Sequence, residues 1–431
     1  MDIFTKNKIY LDSASGAILN DKVFKKMFSL DFQKMGNPSS IHSFGNFSKN
    51  ILEKSRSSIA KSIESHVDEI IFTGSGTESI ALAIMGTVYK SKNQFVLPHV
   101  ITSTIEHSAT LKTCKMLEQM NLAEVTYISP NDQTGLIDIN QILNSIKDST
   151  VIISIHMVNS EIGVIQNIPD LIKNIDKYKE KKYNLKKMRF SADSYYPYLH
   201  IDACQAYPHL DLIPIKRLNV DMMSFNSVKM GGPAGIAVLH KRRHVNITSI
   251  YGGGSQEFGL KPGTINPMLV YGFSIASEIL QKDKLKNENK YTELKKYFIE
   301  NLSKISKDQE FPFIENSHDL CVPSIISISF PYFTGEQFAI ELDARGVVVS
   351  SKSACNTEDN TESYVIQEIR KSDTVDFMQD LIKTNPAKSL PDLKNWGTIR
   401  ISFSPNTQKS HINKLLKEIK NIVQTYRTVL Y

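Results

Sequence analysis

Short apolar runs alternate with amphipathic segments over residues 69–240, and this alternation limits the folds open to the chain more than any other feature of the sequence. Helical patterns follow several of the runs, for instance TESIALAIMGTVYK and IDINQILNSIK. The strand candidates, in chain order, are EIIFT, HVITST, EVTYIS, TVIISIH, YLHID, DMMSF and GIAVLH. Strands that alternate with helices predict an α/β fold with a mostly parallel sheet. Ligands of such sheets bind beyond the carboxyl ends of the strands, so we look there for chemistry.

The pattern changes after residue 262. A long helix is expected over residues 266–284, and a second helix is expected from residue 290. The strand candidates that follow are PSIISISF, VVVSS and TIRISFS. These elements predict a second, smaller α+β domain, in keeping with a chain of 431 residues, which is too long for one simple core. Two stretches, residues 179–197 and 371–394, are interpreted as surface insertions.

The charged residues are dispersed, with 51 Lys and Arg against 45 Asp and Glu and a net charge of +6. That balance argues against a stripe that binds nucleic acid, and no apolar run is long enough to span a bilayer. The first residues contain neither an apolar nor an Arg-rich leader, so we expect a cytoplasmic protein. One basic run, KYKEKKYNLKKMR at residues 177–189, is interpreted as an exposed loop, with a site for an acidic protein partner as the alternative.

The chain has four cysteines, and none of them forms a CxxC pair, which argues against a metal cage or a thioredoxin-type motif. Cys114 lies in a helical pattern and Cys204 follows an apolar strand, so we expect both to pack in the interior, whereas Cys321 is uninformative. Cys355 lies in SSKSACNTEDNTES, a run of small, polar and acidic residues. This run predicts an exposed, mobile loop, which is the setting that a reactive thiol needs.

A glycine-rich turn and a lysine each follow a strand candidate. In IIFTGSGTES, the backbone N–H groups of the turn and the helix start form a cradle for an anion, with Gly76 and Thr77 placed for a phosphate. A plain capped helix start is the more common interpretation. In MMSFNSVKMGGPAG, Lys229 comes just past a strand and could form a Schiff base if its pKa is lowered. For a lysine taken alone, a solvent-facing turn is the more common case.

Three more ionisable residues lie in strands or directly after them. Asp202 ends YLHID, where a carboxylate needs a positive partner such as the pyridinium nitrogen of pyridoxal phosphate; helix capping is the alternative. His107, in STIEHSAT, also follows a strand, so both side chains are expected to line one crevice, although a satisfied surface or core histidine is the common case. Arg400 lies inside TIRISFS, where a clamp on a substrate carboxylate and an internal salt bridge are equally good interpretations.

Together, and in this order, these segments resemble a pyridoxal-phosphate enzyme of the class V aminotransferase family, and more closely a cysteine desulfurase of the NifS/IscS kind. The resemblance covers nearly the whole chain and rests on YLDSAS, GNPSSIHSFG, FTGSGTES, IEHSAT, HMVNSEIGVIQ, HIDACQ, SFNSVK, GGGSQEFGLKPGT, SSKSAC and IRISFS. The segment SSKSAC, ahead of IRISFS, is the part specific to desulfurases. The resemblance implies a PLP-dependent transferase fold of type I. Residues 15–262 would form a large PLP-binding domain, and residues 1–14 and 263–431 a small domain that carries a mobile Cys loop at about 350–363.

The resemblance also implies roles around the ring of the cofactor, pyridoxal 5'-phosphate. Lys229 would hold the cofactor as a Schiff base and then move protons. Asp202 would pair with the pyridinium nitrogen, which makes the ring an electron sink. His107 would stack on the ring and assist proton transfer, and Gln205 would bond the phenolic oxygen.

The phosphate of the cofactor would be bound by Gly76, Thr77 and Ser227, and by Thr264 from the other subunit of a homodimer. The family usually has Ser and His in the turn before the lysine, where this chain has Asn226 and Val228. The loss of that His removes one phosphate contact, so we expect a lowered cofactor affinity, with Ser227 as the substitute. Lys261 stands where an arginine is common.

For the substrate, the resemblance implies that Asn159 and Arg400 hold the carboxylate of L-cysteine. The Cys355 thiolate would attack the substrate sulfur and become a persulfide, leaving L-alanine. The sulfur would pass to an acceptor protein, such as an iron–sulfur scaffold or a tRNA-thiolating enzyme. Two alternatives stay open: another class V enzyme, either an aminotransferase or a selenocysteine lyase, and a catalytically weakened sulfur-transfer partner.

Overall fold

The computed structural model describes residues 8–183, 195–210, 220–309, 311–317, 320–331, 333–351, 363–370 and 396–430. Its strands are β1 (Ile9–Tyr10), β2 (Ile70–Thr73), β3 (His99–Ser103), β4 (Glu124–Ile128), β5 (Thr150–His156), β6 (Tyr198–Asp202), β7 (Met222–Asn226), β8 (Ala237–Lys241), β9 (Ile314–Glu315), β10 (Ile325–Phe330), β11 (Val347–Val348) and β12 (Gly397–Ser402). Its α-helices are α1 (Asp21–Phe28), α2 (Ser43–Ser62), α3 (Gly76–Ser91), α4 (Ser108–Gln119), α5 (Ile139–Asn144), α6 (Ile168–Tyr183), α7 (Ala206–His209), α8 (Pro267–Gln309), α9 (Gly335–Ala344), α10 (Tyr364–Glu368) and α11 (Lys409–Leu430).

Seven strands form the main sheet in the order β2-β8-β7-β6-β5-β3-β4. From β7 to β4 the neighbouring strands are parallel, and β8 runs antiparallel to both β2 and β7. The mostly parallel α/β sheet predicted from the sequence is therefore confirmed. Because β8 alone reverses, β2 runs in the same direction as β7. The carboxyl ends of the other six strands consequently meet at one edge of the sheet, called here the carboxyl edge.

The central strands are buried on both faces. Every residue of β5 and β6 is buried, as expected for apolar, β-branched segments in a sheet covered by helices on each side. From Ile152 onward, successive apolar residues of β5 and β6 divide between two cores: Ile152 belongs to the cluster that includes α3 and α4, and Ile153 to the cluster that includes α2 and α6. The period of two thus continues inside strands that show no polar alternation.

Helix α8 departs from the expectation. The two helices predicted over residues 266–284 and from residue 290 are one continuous helix, Pro267–Gln309, so that prediction is wrong. The intervening residues, LKNEN, include no glycine or proline, and nothing in them interrupts the hydrogen bonds of the helix. The first half of α8 contributes Val270 and Phe273 to the core of the main sheet. Its second half contributes Leu294 and Phe298 to a second core.

The second core surrounds two small sheets. Strands β12, β10 and β9 form an antiparallel sheet, and β1 pairs in parallel with β11, with Ile9 opposite Val347. The chain's start therefore lies beside its last third. The second core also contains Leu11, Phe330, Phe338, Ile399, Ile401, Ile412 and Ile419. A domain boundary at residue 262 stays a prediction.

None of the helices in the described residues is long and apolar enough to cross a membrane, and a cytoplasmic location stays a prediction. Residues 371–394, the second expected insertion, lie outside the described residues. The first, residues 179–197, is described only at its two ends, and its interpretation as an insertion stays a prediction. Residues 179–183 continue α6, where Lys179 lies 2.9 Å from Asp221, and Tyr196 is buried. The basic run thus begins as a helix rather than as a loop.

Candidate active site

Four of the sequence-predicted residues lie at or just beyond the carboxyl edge. His107 follows β3, Asn159 follows β5, Asp202 is the last residue of β6, and Lys229 follows β7. The register places His156, at the end of β5, opposite Asp202. These strands are neighbours and run in parallel, so the side chains at their carboxyl ends reach one crevice.

The N-terminus of α3 lies at the same edge. Ser75 caps the helix by accepting a hydrogen bond from the backbone N–H of Glu78. A methyl group added at Gly76 would lie 2.8 Å from Cys204 Sγ and 3.0 Å from Asn226 Nδ2. The first turn of α3 therefore approaches the turns after β6 and β7 as closely as glycine allows. Its free N–H groups and the helix dipole favour an anion at this point.

Lys229 points toward the segment that follows β1. Its Nζ donates hydrogen bonds to the carbonyl oxygens of Ala14, at 2.5 Å, and Ser15, at 2.7 Å. The Nε2 of Gln205 donates to the same Ala14 oxygen over 2.8 Å. Two predicted cofactor residues thus share one backbone acceptor, and the segment YLDSAS forms one wall of the site.

Arg400 is buried in β12, with 3 % of its surface exposed. Its Nη2 donates to Asp12 Oδ1 over 2.8 Å and to Ser15 Oγ over 2.6 Å, and its Nη1 donates to the carbonyl oxygen of Ser160 over 2.9 Å. Its Nε has no hydrogen-bond partner among the described residues. Of the two interpretations offered by the sequence, the internal salt bridge is present, and the guanidinium also lies beside the wall that contacts Lys229.

The Asp202 carboxylate is buried at the end of β6. Its Oδ1 accepts a hydrogen bond from the backbone N–H of Cys204 over 2.9 Å. His200, two residues earlier in β6, is fully buried between the hydroxyls of Ser154 and Ser224. Burial lowers the pKa of His200 to about 4, so this imidazole is neutral at physiological pH and does not neutralise Asp202. A carboxylate in this position is expected to be matched by a positive group.

His107 begins helix α4 as its N-cap. Its Nδ1 accepts a hydrogen bond from the backbone N–H of Ala109 over 3.1 Å. The neutral ring therefore carries its hydrogen on Nε2. Directly before it, the buried Glu106 accepts hydrogen bonds from Ser103 Oγ, at 2.6 Å, and from His156 Nδ1, at 2.8 Å. This buried pair fixes the turn that holds His107.

The amide of Asn159 is engaged within its own turn. Its Nδ2 donates to the carbonyl oxygen of Ile105 over 2.9 Å, and its Oδ1 accepts from the backbone N–H groups of Glu161 and Ile162. Asn159 thereby joins the turn after β5 to the turn that carries His107. Its assignment to the substrate carboxylate stays a prediction, and the contacts described here show a role in shaping the site.

Thr264 is exposed beside a groove of about 750 Å³. The groove is lined by Glu78, Tyr251, residues 252–254, Gln256 and residues 261–264. The loop that carries Thr264 is anchored by Glu257, whose carboxylate pairs with both terminal nitrogens of Arg56 at 2.6 and 2.7 Å. A loop held by a buried, bidentate ion pair can present its exposed threonine in a fixed position.

Among the described cysteines, two are poor nucleophiles. Burial raises the pKa of Cys114 to about 12, and burial together with Asp202 raises the pKa of Cys204 well above its ordinary value. Cys321 is buried as well. Cys355 lies outside the described residues, so its assignment stays a prediction. The interior positions expected for Cys114 and Cys204 agree with their burial, although part of Cys204 reaches the surface.

Several residues at the site were missed by sequence reasoning. Asp12 and Ser15 were present in a quoted motif, YLDSAS, but no local pattern pairs them with Arg400. The Glu106–His156 pair was missed because each residue looks like an ordinary strand-end position. One signal was available: a glutamate and a histidine at the ends of two neighbouring parallel strands are expected to meet at the same edge.

The comparisons with known proteins agree with this architecture. The family model described as Aminotransferase class-V matches residues 9–415. A cysteine desulfurase IscS of Dictyoglomus turgidum is 32 % identical over 424 residues, which cover 98 % of this chain and 96 % of the relative. A mitosomal cysteine desulfurase of Encephalitozoon cuniculi is 32 % identical over 369 residues, covering 85 % and 79 %.

Solved structures give the same result. A NifS-like protein superposes with a TM-score of 0.80 at 25 % identity, covering 97 % of this chain and 100 % of the other. A structure described as SspA in complex with cysteine superposes with a TM-score of 0.69 at 27 % identity, covering 93 % and 99 %. The fold of type I inferred from the sequence is confirmed. The chain therefore belongs to the class V aminotransferase family and, within it, to the IscS-like cysteine desulfurases.

Proposed function

We propose that this protein uses pyridoxal 5'-phosphate to remove sulfur from L-cysteine, giving L-alanine and a persulfide on Cys355. The observation that supports this best is the meeting of a lysine, a buried carboxylate and a helix N-terminus at the carboxyl edge, with a buried arginine beside them. The cofactor requires an amine to hold it, an anion beside its ring nitrogen and a turn that binds its phosphate. An amino-acid substrate requires a cation for its carboxylate.

The residues present fit the cofactor. Gln205 Oε1 and Ser227 Oγ are buried polar atoms without a hydrogen-bond partner among the described residues. Buried polar atoms are normally hydrogen-bonded, so these two are available to bond a cofactor. When bound, pyridoxal phosphate withdraws electrons from the bonds at the α-carbon of an amino acid. Lys229 would hold the group covalently, Asp202 would face its ring nitrogen, and Gln205 its phenolic oxygen.

The phosphate would lie at the N-terminus of α3. Gly76 and Thr77 supply N–H groups there, and the close approach of Cys204 and Asn226 shapes the other side of the cradle. Ser227 is proposed as a further contact, although its hydroxyl lies against Gly232, where an added methyl group would come within 2.1 Å. Thr264 is proposed to reach the phosphate from the second subunit of a homodimer.

Proton movements are assigned to two atoms. Lys229 Nζ is the base that takes and returns a proton at the substrate, since it is the amine that lies at the wall of the site formed by Ala14 and Ser15. His107 exchanges a proton at Nε2, because its Nδ1 is occupied as an acceptor by the N–H of Ala109. Arg400, with Asn159 beside it, holds the substrate carboxylate. Its Nε, buried and without a partner, is the donor that the resting site leaves unused.

The sulfur transfer balances without an external oxidant. The Cys355 thiol and L-cysteine give a Cys355 persulfide and L-alanine: one carbon–sulfur and one sulfur–hydrogen bond break, and one sulfur–sulfur and one carbon–hydrogen bond form. The persulfide would then pass to an acceptor protein, such as an iron–sulfur scaffold or a tRNA-thiolating enzyme.

The test is to incubate the cofactor-loaded protein with L-cysteine and a thiol reductant and to measure alanine and sulfide. Wild type and Cys321→Ala, which loses a buried thiol instead, are expected to give equal amounts of the two products. Cys355→Ala is expected to give neither. Product formation by Cys355→Ala at the wild-type rate would contradict the proposal and favour a selenocysteine lyase or another class V enzyme. No product from any variant would favour a sulfur-transfer partner without activity.

A further inference from the structure

The hydrogen-bond donors of Arg400 are distributed in a way that bears on substrate binding. A guanidinium offers two edges for a bidentate bond to a carboxylate: one joins Nε to Nη2, and the other joins Nη1 to Nη2. Each edge needs a hydrogen on Nη2. In this structure both Nη2 hydrogens are used, one by Asp12 and one by Ser15. Neither edge is therefore free to clamp a substrate.

Asp12 gives Arg400 a charged partner of the same chemical kind as a substrate carboxylate. Its Oδ1 lies 2.8 Å from Arg400 Nη2, and 15 % of its side chain is exposed. Ser15 Oγ also donates to this Oδ1 over 3.0 Å. The ion pair is thus a carboxylate–guanidinium contact of the kind that an amino acid would make, formed by the chain itself.

The same turn also contacts the lysine. Ser15 accepts from Arg400 through its hydroxyl and from Lys229 through its carbonyl oxygen. Asp12 is therefore the carboxylate that offsets the positive charge of Arg400, and Ser15 joins this ion pair to the amine of Lys229.

We propose that Asp12 determines affinity and specificity at this site by competing with the substrate carboxylate for Nη2 of Arg400. This inference rests on the function proposed above. A bound amino acid must displace Asp12 or Ser15 from Nη2 before it can make a bidentate contact. Asp12 therefore weakens the binding of every ligand that carries an α-carboxylate, including the product L-alanine, and so favours its release.

The experiment is calorimetric titration of the cofactor-loaded protein with L-alanine and with L-alaninamide, which replaces the carboxylate by a neutral amide. Asp12→Asn keeps an oxygen acceptor for Arg400 and Ser15 but removes the charge. The dissociation constant of L-alanine is expected to fall roughly five- to tenfold in this variant, as for a lost charged competitor. The dissociation constant of L-alaninamide is expected to stay within about twofold of wild type.

Asp68→Asn is the matched control, because Asp68 forms an Asp–Arg pair with Arg243 on the surface, outside the site. It is expected to leave both dissociation constants unchanged. An L-alanine affinity that is unchanged or weaker in folded Asp12→Asn would overturn the inference. A purely structural role for Asp12 would not tighten the binding of L-alanine relative to that of L-alaninamide.

Ser15→Ala keeps the inference open to refutation if Asp12→Asn does not fold. It frees the other Nη2 hydrogen and leaves the ion pair, so it is also expected to tighten the binding of L-alanine relative to that of L-alaninamide; an unchanged ratio of the two dissociation constants would overturn the inference.

Failure of the proposed function would give a different result. Wild type would then give no alanine from L-cysteine, whereas turnover by wild type with unchanged ligand ratios in the variants counts against Asp12 alone.

Discussion

The hydroxyl of Tyr364 donates a hydrogen bond to the backbone carbonyl oxygen of Glu106 over 2.5 Å. Tyr364 begins α10, shortly after Cys355 in the sequence, and Glu106 directly precedes His107. The neighbouring Ser363 hydroxyl donates to the carboxylate of Glu161, in the turn after β5. Helix α10 is thereby fixed to two turns of the carboxyl edge, and with it the point at which the chain that carries Cys355 rejoins the described structure.

Tyr364→Phe removes the hydroxyl and leaves the ring. We expect kcat for alanine formation to fall roughly three- to tenfold, because small errors in the position of a reacting group are costly. Binding of L-alanine should stay unchanged, since no substrate contact is removed. Steady-state rates and calorimetry check this. Tyr297→Phe is the matched control, because that hydroxyl bonds Asn413 on the surface; an equal rate loss in both variants would contradict the expectation.

The Arg56–Glu257 pair gives a prediction about stability. Both side chains are almost fully buried, and Glu257 also accepts from the backbone N–H of Phe72 over 2.7 Å. Glu257→Gln leaves the buried guanidinium with only the half-exposed carboxylate of Glu53 as a counter-charge, which should cost about 3–5 kcal/mol in the free energy of unfolding. Denaturant unfolding measures this. Asp68→Asn breaks an exposed pair and should cost less than about 1 kcal/mol; equal costs would show that burial does not matter here.

Gly76→Ala tests the cradle at α3. The added methyl group would meet Cys204 Sγ at 2.8 Å, so the helix start must shift. We expect the dissociation constant of pyridoxal phosphate to rise roughly tenfold, measured by absorbance titration. The double variant Gly76→Ala with Cys204→Ala removes that clash and should recover part of the affinity. No recovery would mean that the methyl group acts on something other than this contact.

The buried histidines predict how stability depends on pH. Burial lowers the pKa of His200 to about 4 and the pKa of His209 to about 3. As the pH falls from 6.5 to about 4 for His200, and to about 3 for His209, the unfolded chain binds protons that the folded protein does not. The free energy of unfolding should therefore fall over this range, and the contribution of each histidine is complete below its folded pKa. Each histidine contributes at most about 1.4 kcal/mol per pH unit. Denaturant unfolding at several pH values should show a smaller slope for His200→Gln; equal slopes in both proteins would contradict the assignment.

The sequence identified those parts of the site that local patterns determine. Asp202 ends an apolar strand, and His107 and Lys229 each follow one within a few residues. A parallel sheet brings such strand ends to one edge regardless of the order of its strands. The reversal of β8 between β2 and β7 was not predicted, because the direction of a strand depends on partners that are distant in the chain.

The environment of Arg400 shows the limit of local reasoning. Asp12 and Arg400 are 388 positions apart, and nothing near either residue distinguishes a salt bridge from a substrate clamp. The break expected in α8 has the opposite origin. The residues LKNEN lie between the two helices expected from the sequence, but a helix on the surface tolerates such polar residues because they include no glycine or proline.

Helix α8 has a mechanical consequence. Its 43 residues make a rod about 65 Å long. One half is embedded beside the sheet that carries Lys229, and the other half beside the sheet that carries Arg400. Because α8 is one uninterrupted helix that packs in both cores, a movement of one core relative to the other must bend the helix or carry it along.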